Sequence, residues 1–175
     1  MQYFVTGATG FIGKRLVKKL LERKGSVVYF LLRKESAGKV AELRSYWGVS
    51  AARAIPVFGD LTAKKLGVAA EDIKKLKGQI DHFHHLAAVY DLSADTESQV
   101  AVNIEGTRNT VEVAKAIARD PKVVLVDEPF AGLTSKETET FAGLIRELRD
   151  SGHAILLVDH NVKSVAALAD RVFAM

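Results

Sequence analysis

The chain has 175 residues, of which 48% are hydrophobic and 26% are charged, with no cysteine and a formal net charge of +4. This hydrophobic fraction excludes a disordered chain, and the lack of cysteine excludes disulfide scaffolds and thiolate metal sites. The first residues do not resemble a secretory signal, and no apolar run approaches the ~20 residues of a membrane span, so we expect a cytoplasmic globular domain.

The predicted elements alternate between strands and helices. The first four strands are predicted at Gln2–Thr6, Ser26–Leu32, Ala54–Phe58 and Ile80–Leu86, and they are followed in turn by helices at Arg15–Lys24, over residues 37–47, over residues 69–77 and from Ser93 or Asp95 to Ile117. The last three strands are predicted at Lys122–Val126, Ala154–Val158 and Arg171–Met175. Between them lie a helix at Ser135–Asp150, with Ser135 as its N-cap, and a helix at Val162–Leu168. The strands are nearly continuous apolar runs, which is typical of a parallel sheet covered by helices on both faces. The pattern predicts one α/β domain over residues 1–175, a three-layer αβα sandwich with a Rossmann-like, mainly parallel sheet of about seven strands.

The charge is distributed unevenly along the chain. Residues 1–120 carry a net charge of +6, whereas residues 121–175 carry −2. The basic residues lie at helical spacing among Leu, Val and Ile, and they are not interleaved with aromatic residues. We therefore expect solvated basic helix faces and no nucleic-acid partner.

A glycine-rich segment connects the first strand to the first helix. Gly7, Gly10 and Gly13 are spaced three residues apart within Val5–Gly13. In a dinucleotide-binding loop one glycine makes the turn, one lets the backbone approach a pyrophosphate, and one lets the helix pack on the strand. The amides at the helix start then face a negative group. The alternative is a glycine-rich turn that binds nothing.

Four segments of residues 1–117 resemble the extended short-chain dehydrogenase/reductase superfamily, nearest to its acyl-thioester and fatty-acyl reductase branch. They are Thr6–Gly13, Gly59-Asp60-Leu61, His85-Leu86-Ala87-Ala88 and Asn103-Ile104-Glu105-Gly106-Thr107. The resemblance implies a strand order that begins 3-2-1-4, with the fifth strand beside the fourth. It also implies dinucleotide contacts at Gly7, Thr9, Gly10, Phe11, Ile12, Gly13, Asp60, Leu61, Ala87 and Ala88.

The residues after the second strand predict which dinucleotide is bound. An acidic residue there would bind the ribose diol of NAD, but this sequence has Arg33 and Lys34. A guanidinium binds a phosphate in a bidentate manner, and the lysine adds positive charge. We therefore expect NADP(H) as the cofactor, with NAD(H) as the alternative.

The chain lacks the catalytic pair of this superfamily, a tyrosine with a lysine four residues later. The residues four positions after Tyr3, Tyr29, Tyr46 and Tyr90 are Gly, Arg, Ser and Ala. The lysine normally lowers the pKa of the tyrosine, which exchanges a proton as hydride moves. The expectation from the sequence is therefore dinucleotide binding without catalysis, that is, a protein that is not an enzyme.

The last third resembles a different family. Residues 118–133, which contain Asp127-Glu128-Pro129, resemble the Walker B strand and D-loop of ABC transporter ATPases, and Ile155–Asn161 resembles their switch-histidine strand. By this resemblance Asp127 would organise Mg²⁺, Glu128 would polarise water and His160 would sense the γ-phosphate. No Walker A loop or Leu-Ser-Gly-Gly-Gln signature is present in the 175 residues. We interpret the three residues as vestigial, with weak ATPase activity as an alternative.

The two resemblances meet between Lys115 and Ala118, inside a predicted helix. They suggest an engineered chimera of a reductase-like part, residues 1–117, and an ATPase-like part, residues 118–175. Three hypotheses stay open: a dinucleotide-binding module, a scaffold without a ligand, and a residual reductase or ATPase. His82 and His84 share one face of a predicted strand and His85 the other, so no metal site is expected, and self-association stays open.

Overall fold

The computed structural model describes residues 1–86, 96–118, 123–127, 130 and 133–173, without the side chains of residues 96–103, 123, 125 and 127. The strands are β1 Gln2–Thr6, β2 Val27–Leu32, β3 Ala54–Phe58, β4 His82–His85, β5 Val123–Asp127 and β6 Ala154–Val158. The α-helices are α1 Phe11–Leu21, α2 Val40–Trp47, α3 Ala70–Leu76, α4 Thr96–Ile117, α5 Ser135–Asp150 and α6 Val162–Ala166. None of these helices is long and apolar enough to cross a membrane.

The chain divides into two compact units. The first comprises Met1–Leu92 and Glu105–Asp120, and the second comprises Ser93–Ile104 and Pro121–Met175. In the first unit a parallel sheet has the strand order β3-β2-β1-β4, which confirms the predicted beginning of the order. The carboxyl ends of parallel strands share one edge, and the loops after β1, β2 and β3 therefore meet there.

Both faces of the four-stranded sheet are covered, as the apolar runs predict. On one face Tyr3, Val5 and Phe30 pack with α1 and α2, where Trp47 meets the Phe30 ring edge-on at 5.2 Å between centroids. On the other face Phe4 and Leu31 pack with Val113, Ile117 and other residues of α3 and α4. The strands are buried because helices lie over both of their faces, which is the arrangement of a doubly wound α/β fold.

The second unit contains a two-stranded parallel sheet, β5 paired with β6. One face packs against α5 through Phe130, Phe141 and Ile145, with Ile155 and Leu157 of β6 beside them. Residues of β6 alternate between exposed and half-buried, and Leu156 and Val158 lie on the exposed face.

The predicted sheet of about seven strands is wrong for the described residues. The first unit has four strands, extended by a single parallel bridge between Ile80 and Ala118, and the second unit has two. The strand β5 pairs with β6, and among the described strands there is no pairing of β5 with β4, which was the expected one. Arg171–Phe173 form no strand, and residues 174 and 175 lie outside the described part. Phe173 is largely exposed, so no packing partner supports a strand there.

The start of α5 also differs from the prediction. Ser135 is the first helical residue, and Thr134 is the N-cap. The Thr134 side chain accepts a hydrogen bond from the Glu137 N–H, and the Glu137 carboxylate accepts one from the Thr134 N–H, which completes a capping box. The Thr-x-x-Glu spacing of this capping box favours Thr134 over its neighbour Ser135.

Candidate functional site

The loop between β1 and α1 has the backbone geometry that its glycines predict. Gly7 has φ 73°, in the left-handed region that favours glycine. A Cβ on Gly13 would overlap the Gly7 carbonyl oxygen, and a Cβ on Gly10 would lie 3.3 Å from the same atom. The Gly10 N–H donates to the Gly7 oxygen at 3.0 Å, which closes the turn. Any side chain at position 13 would therefore push the helix away from the strand.

The amino end of α1 is open to an anion. Gly10 is the N-cap, no side chain forms a capping hydrogen bond, and the first turn contains no acidic residue. The first N–H groups of a helix carry partial positive charge, and α1 begins a short turn after the carboxyl end of β1. Thr9, Phe11 and Ile12 are exposed beside them, and the Arg15 guanidinium lies over the Phe11 ring at 3.7 Å. These residues fit the pyrophosphate of a dinucleotide.

A second part of the site lies where β2 and β3 end. Arg33, Lys34, Glu35, Gly59, Asp60 and Gly67 line an open cavity of about 180 Å³. The Arg33 Nε atom lies 3.8 Å from the Asp60 Oδ2 atom, and both side chains are partly exposed. The structure thus brings the predicted residues Arg33, Lys34 and Asp60 together around one cavity.

Leu61, which was also expected to contact the dinucleotide, has a different environment. Its side chain is buried in the core, and a Cβ on Gly106 would lie 2.8 Å from the Leu61 Cγ atom. Gly106 therefore lets α4 approach the turn after β3. This contact gives a physical reason for the glycine in the Asn-x-x-Gly-Thr segment.

His85, at the end of β4, links two other elements of the site. Its Nδ1 atom lies 2.6 Å from the Thr6 hydroxyl oxygen at the end of β1, and its Nε2 atom lies 3.4 Å from the Thr107 hydroxyl oxygen on α4. Burial lowers the pKa of His85 from 6.5 to about 4, so the imidazole is neutral at pH 7. Thr6 and Thr107 lie in two of the segments that resemble the reductases, but their contacts with His85 were not predicted; the position of Thr6 directly before Gly7 is the signal that could have found its contact.

The other strand histidines form no recognisable metal site. Burial, followed by the charges of His82 and Arg23, lowers the pKa of His84. The Tyr3 ring stacks on the His82 and His84 rings. Within the described part of the chain, no group of three or more His, Asp or Glu residues could hold a metal ion.

The predicted ATPase residues are only partly described. Asp127 ends β5, but its side chain and all of Glu128 lie outside the described residues, as do Ala87 and Ala88. His160 follows β6 and is largely exposed, with its Nδ1 atom 3.8 Å from the Asp159 Oδ1 atom.

Asp159 is the residue of this segment that sequence reasoning missed. Its side chain is fully buried, and it accepts hydrogen bonds from the Phe130 N–H at 3.0 Å and the Asn161 N–H at 2.7 Å. An acidic residue directly after an apolar strand was the available signal. Its hydrogen bonds join the loops that follow β5 and β6.

Comparison with known proteins gives a match over most of the chain. A model of the NAD-binding family described as male sterility protein matches residues 5–145. Among solved structures, the terminal R domain of the myxalamid PKS-NRPS pathway aligns with a TM-score of 0.68 and 22% identity over 90% of this chain and 48% of that one. The UDP-glucuronic acid 4-epimerase of Bacillus cereus, solved with NAD, aligns with a TM-score of 0.61 and 22% identity over 91% of this chain and 55% of that one. At these identities the structures show a shared fold, and the chain spans about half of each.

A shorter similarity concerns ATPases. The lipopolysaccharide export system ATP-binding protein LptB of Escherichia coli (strain K12) is 43% identical over 68 residues, which are 39% of this chain and 28% of LptB. The residues covered by the family match and those covered by the LptB match together number more than 175, so the two matches overlap in part of the chain.

The expectation that the chain is not an enzyme is wrong. The NAD-binding family model matches residues 5–145, and the structures that share the fold include a reductase (R) domain and a UDP-glucuronic acid 4-epimerase, which are enzymes. The chain lacks the Tyr and Lys pair, but this absence does not decide whether the protein is an enzyme, because the chain spans only about half the length of those neighbours.

Proposed function

The chain belongs to the male sterility protein family of NAD-binding domains, and from this membership we propose that residues 1–117 hold NADP(H) for a reductase reaction. The observation that carries the proposal is the β1–α1 loop, where only glycine fits at position 13 and the helix end has no side-chain cap. The resemblance to acyl-thioester and fatty-acyl reductases suggests an activated acyl group as the hydride acceptor.

The residues of this chain bind and orient the cofactor. We propose that Gly7, Thr9, Gly10, Phe11, Ile12 and Gly13 surround the pyrophosphate and that Asp60 lies beside the adenine, while the buried side chain of Leu61 anchors the turn after β3. The resemblance implies that Ala87 and Ala88 also lie beside the cofactor. The N–H groups at the start of α1 supply positive potential for the phosphates. When bound, NADPH supplies the hydride.

We propose NADP(H) rather than NAD(H) as the preferred cofactor because of the residues after β2. Arg33 and Lys34 line the cavity at the end of that strand, where the ribose of the adenosine would lie. The Arg33 side chain is 67% exposed and therefore accessible to a phosphate. A planar guanidinium matches the oxygens of a 2′-phosphate, which NAD lacks.

A fluorescence titration with NADPH tests the proposal. We expect saturable binding below the millimolar range, and at least a tenfold loss on Gly10→Val, because the new side chain would meet the Gly7 carbonyl and fill the space for the pyrophosphate. Gly143→Val is the matched control, since nothing lies within 4 Å of a Cβ at that helical position. Absence of binding to the unmodified chain would favour a scaffold that holds no ligand.

We also propose that residues 118–175 have a separate, ATPase-like ancestry, and that the chain is a chimera joined near residues 115–118. The similarity to LptB supports this, although the family match runs past the join to residue 145. In this proposal Asp127, Glu128 and His160 are remnants of an ATP site. A natural open reading frame that carries the same join would contradict an engineered origin.

A further inference from the structure

The Nε side of the Arg33 guanidinium faces an acidic side chain. Its Nε atom faces the Asp60 Oδ2 atom at 3.8 Å. Within the described part of the chain, no group accepts a hydrogen bond from its two terminal nitrogens. A guanidinium that is restrained through Nε keeps its terminal nitrogens available for the bidentate recognition of a phosphate.

Asp60 is itself fixed by Thr62. The Asp60 Oδ1 atom accepts hydrogen bonds from the Thr62 N–H at 2.8 Å and from the Thr62 hydroxyl at 2.6 Å. These two bonds, and to a smaller extent the charge of Arg33, lower the pKa of Asp60 below its ordinary value. Because one oxygen is bound to Thr62, the other faces Arg33 as a fixed negative charge.

The backbone around Asp60 is held by a strained segment. Lys65, Leu66 and Gly67 have φ values of 52°, 57° and 58°, and two consecutive non-glycine residues in the left-handed region are uncommon. The Leu66 side chain is fully buried, and its carbonyl oxygen accepts a hydrogen bond from the Asp60 N–H at 2.8 Å. Burial of Leu66 thus holds a backbone conformation that fixes the position of Asp60.

We propose that Asp60 and Thr62 are positioning residues that orient Arg33 toward the 2′-phosphate of NADP(H), and thereby determine the preference for this cofactor over NAD(H). The inference rests on the proposed function, because it concerns the same dinucleotide site. A carboxylate near a phosphate would by itself weaken binding through repulsion. Asp60 therefore favours NADP(H) only if its orientation of Arg33 outweighs this repulsion.

The test is the ratio of the dissociation constants for NADPH and NADH, measured by fluorescence titration. A loss of adenine contacts or of stability affects both dinucleotides alike, whereas Arg33 orientation affects only NADPH. For Thr62→Val, which removes the hydroxyl but keeps the shape, we expect NADPH to bind about threefold to tenfold more weakly with NADH unchanged. Thr62→Ser keeps the hydroxyl and is expected to retain the unmodified ratio.

The variant Asp60→Asn removes the negative charge of this side chain but keeps its shape. The amide oxygen can still accept from Thr62, but the attraction for Arg33 is lost, so we expect a lower preference for NADPH. A higher preference for NADPH in Asp60→Asn, or an unchanged ratio in Thr62→Val, would overturn the inference. If the unmodified chain bound both dinucleotides equally, the role of Arg33 and this inference would fail while dinucleotide binding stood; if it bound neither, the proposed function itself would fail.

Discussion

His85 is a buried histidine whose charge state couples stability to pH. Its pKa is lowered from 6.5 to about 4 because burial penalises the charged imidazole. The unfolded chain therefore binds a proton near pH 6.5, whereas the folded chain does not bind it until about pH 4. It follows that the His85 contribution to stability is present above pH 6.5 and is lost as the pH falls toward 4.

Between pH 7 and pH 5, we expect the free energy of unfolding to fall by roughly 2 kcal/mol more in the unmodified chain than in the His85→Gln variant. Urea denaturation of both proteins at several pH values measures this difference. His84 contributes in the same direction in both proteins, because its pKa is also lowered, and it cancels in the comparison. Parallel pH profiles for the two proteins would show that His85 is not buried as described.

At the scale of elements, the approach of α4 to the turn after β3 depends on Gly106. A Cβ there would lie 2.8 Å from the Leu61 Cγ atom and 3.0 Å from its Cδ2 atom, so one element must shift. In contrast, nothing lies within 4 Å of a Cβ at Gly143 in α5. The two helical glycines thus have opposite environments and provide a matched pair.

We expect Gly106→Ala to destabilise the chain by about 1–2 kcal/mol through overpacking, and Gly143→Ala to stabilise it by up to about 1 kcal/mol through helix propensity. Chemical denaturation measures both changes. In the double variant Gly106→Ala/Leu61→Ala the two costs should be less than additive, since truncating Leu61 makes room for the new methyl group. Strict additivity would argue against this contact.

Helices and strands could be predicted where neighbouring residues in the sequence determine them, and not where a distant partner does. The bounds of β1, β3 and β6 agree with the sequence pattern because each strand is a short apolar run that ends at a turn signal. The strand predicted at Arg171–Met175 is absent over the described residues Arg171–Phe173, because a strand requires a pairing partner, which no local pattern encodes. The capping box at Thr134 was present in the sequence, but the adjacent Ser135 offered a competing cap.

The residues of the candidate site also differ in how far the local sequence predicts them. The glycine loop and Arg33 were predicted from their spacing and their position after strands, whereas Asp60 was expected from the resemblance of Gly59-Asp60-Leu61 to the reductase family. The bond between Thr6 and His85 depends on the register of β1 against β4, 79 residues apart in the chain. Likewise, the contact between Gly106 and Leu61 depends on where α4 lies over the sheet.

At the scale of the whole molecule, the chain divides into two compact units. The first unit contains the four-stranded sheet and the loops of the proposed dinucleotide site, and the second contains the paired strands β5 and β6. The boundary of the units does not coincide with the proposed join at residues 115–118, because Glu105–Asp120 belongs to the first unit and Ser93–Ile104 to the second.

The exposed face of β6 has a consequence for the colloidal behaviour of the chain. Leu156 and Val158 are 54% and 43% exposed on adjacent positions of one sheet face, and apolar faces of this kind promote reversible clustering at high concentration. We expect Leu156→Lys to lower light scattering in concentrated solution while leaving the circular dichroism spectrum and NADPH affinity unchanged. The same change at Leu157, which packs against α5, should unfold the second unit instead. Equal scattering by Leu156→Lys and the unmodified chain would mean that this face does not limit solubility.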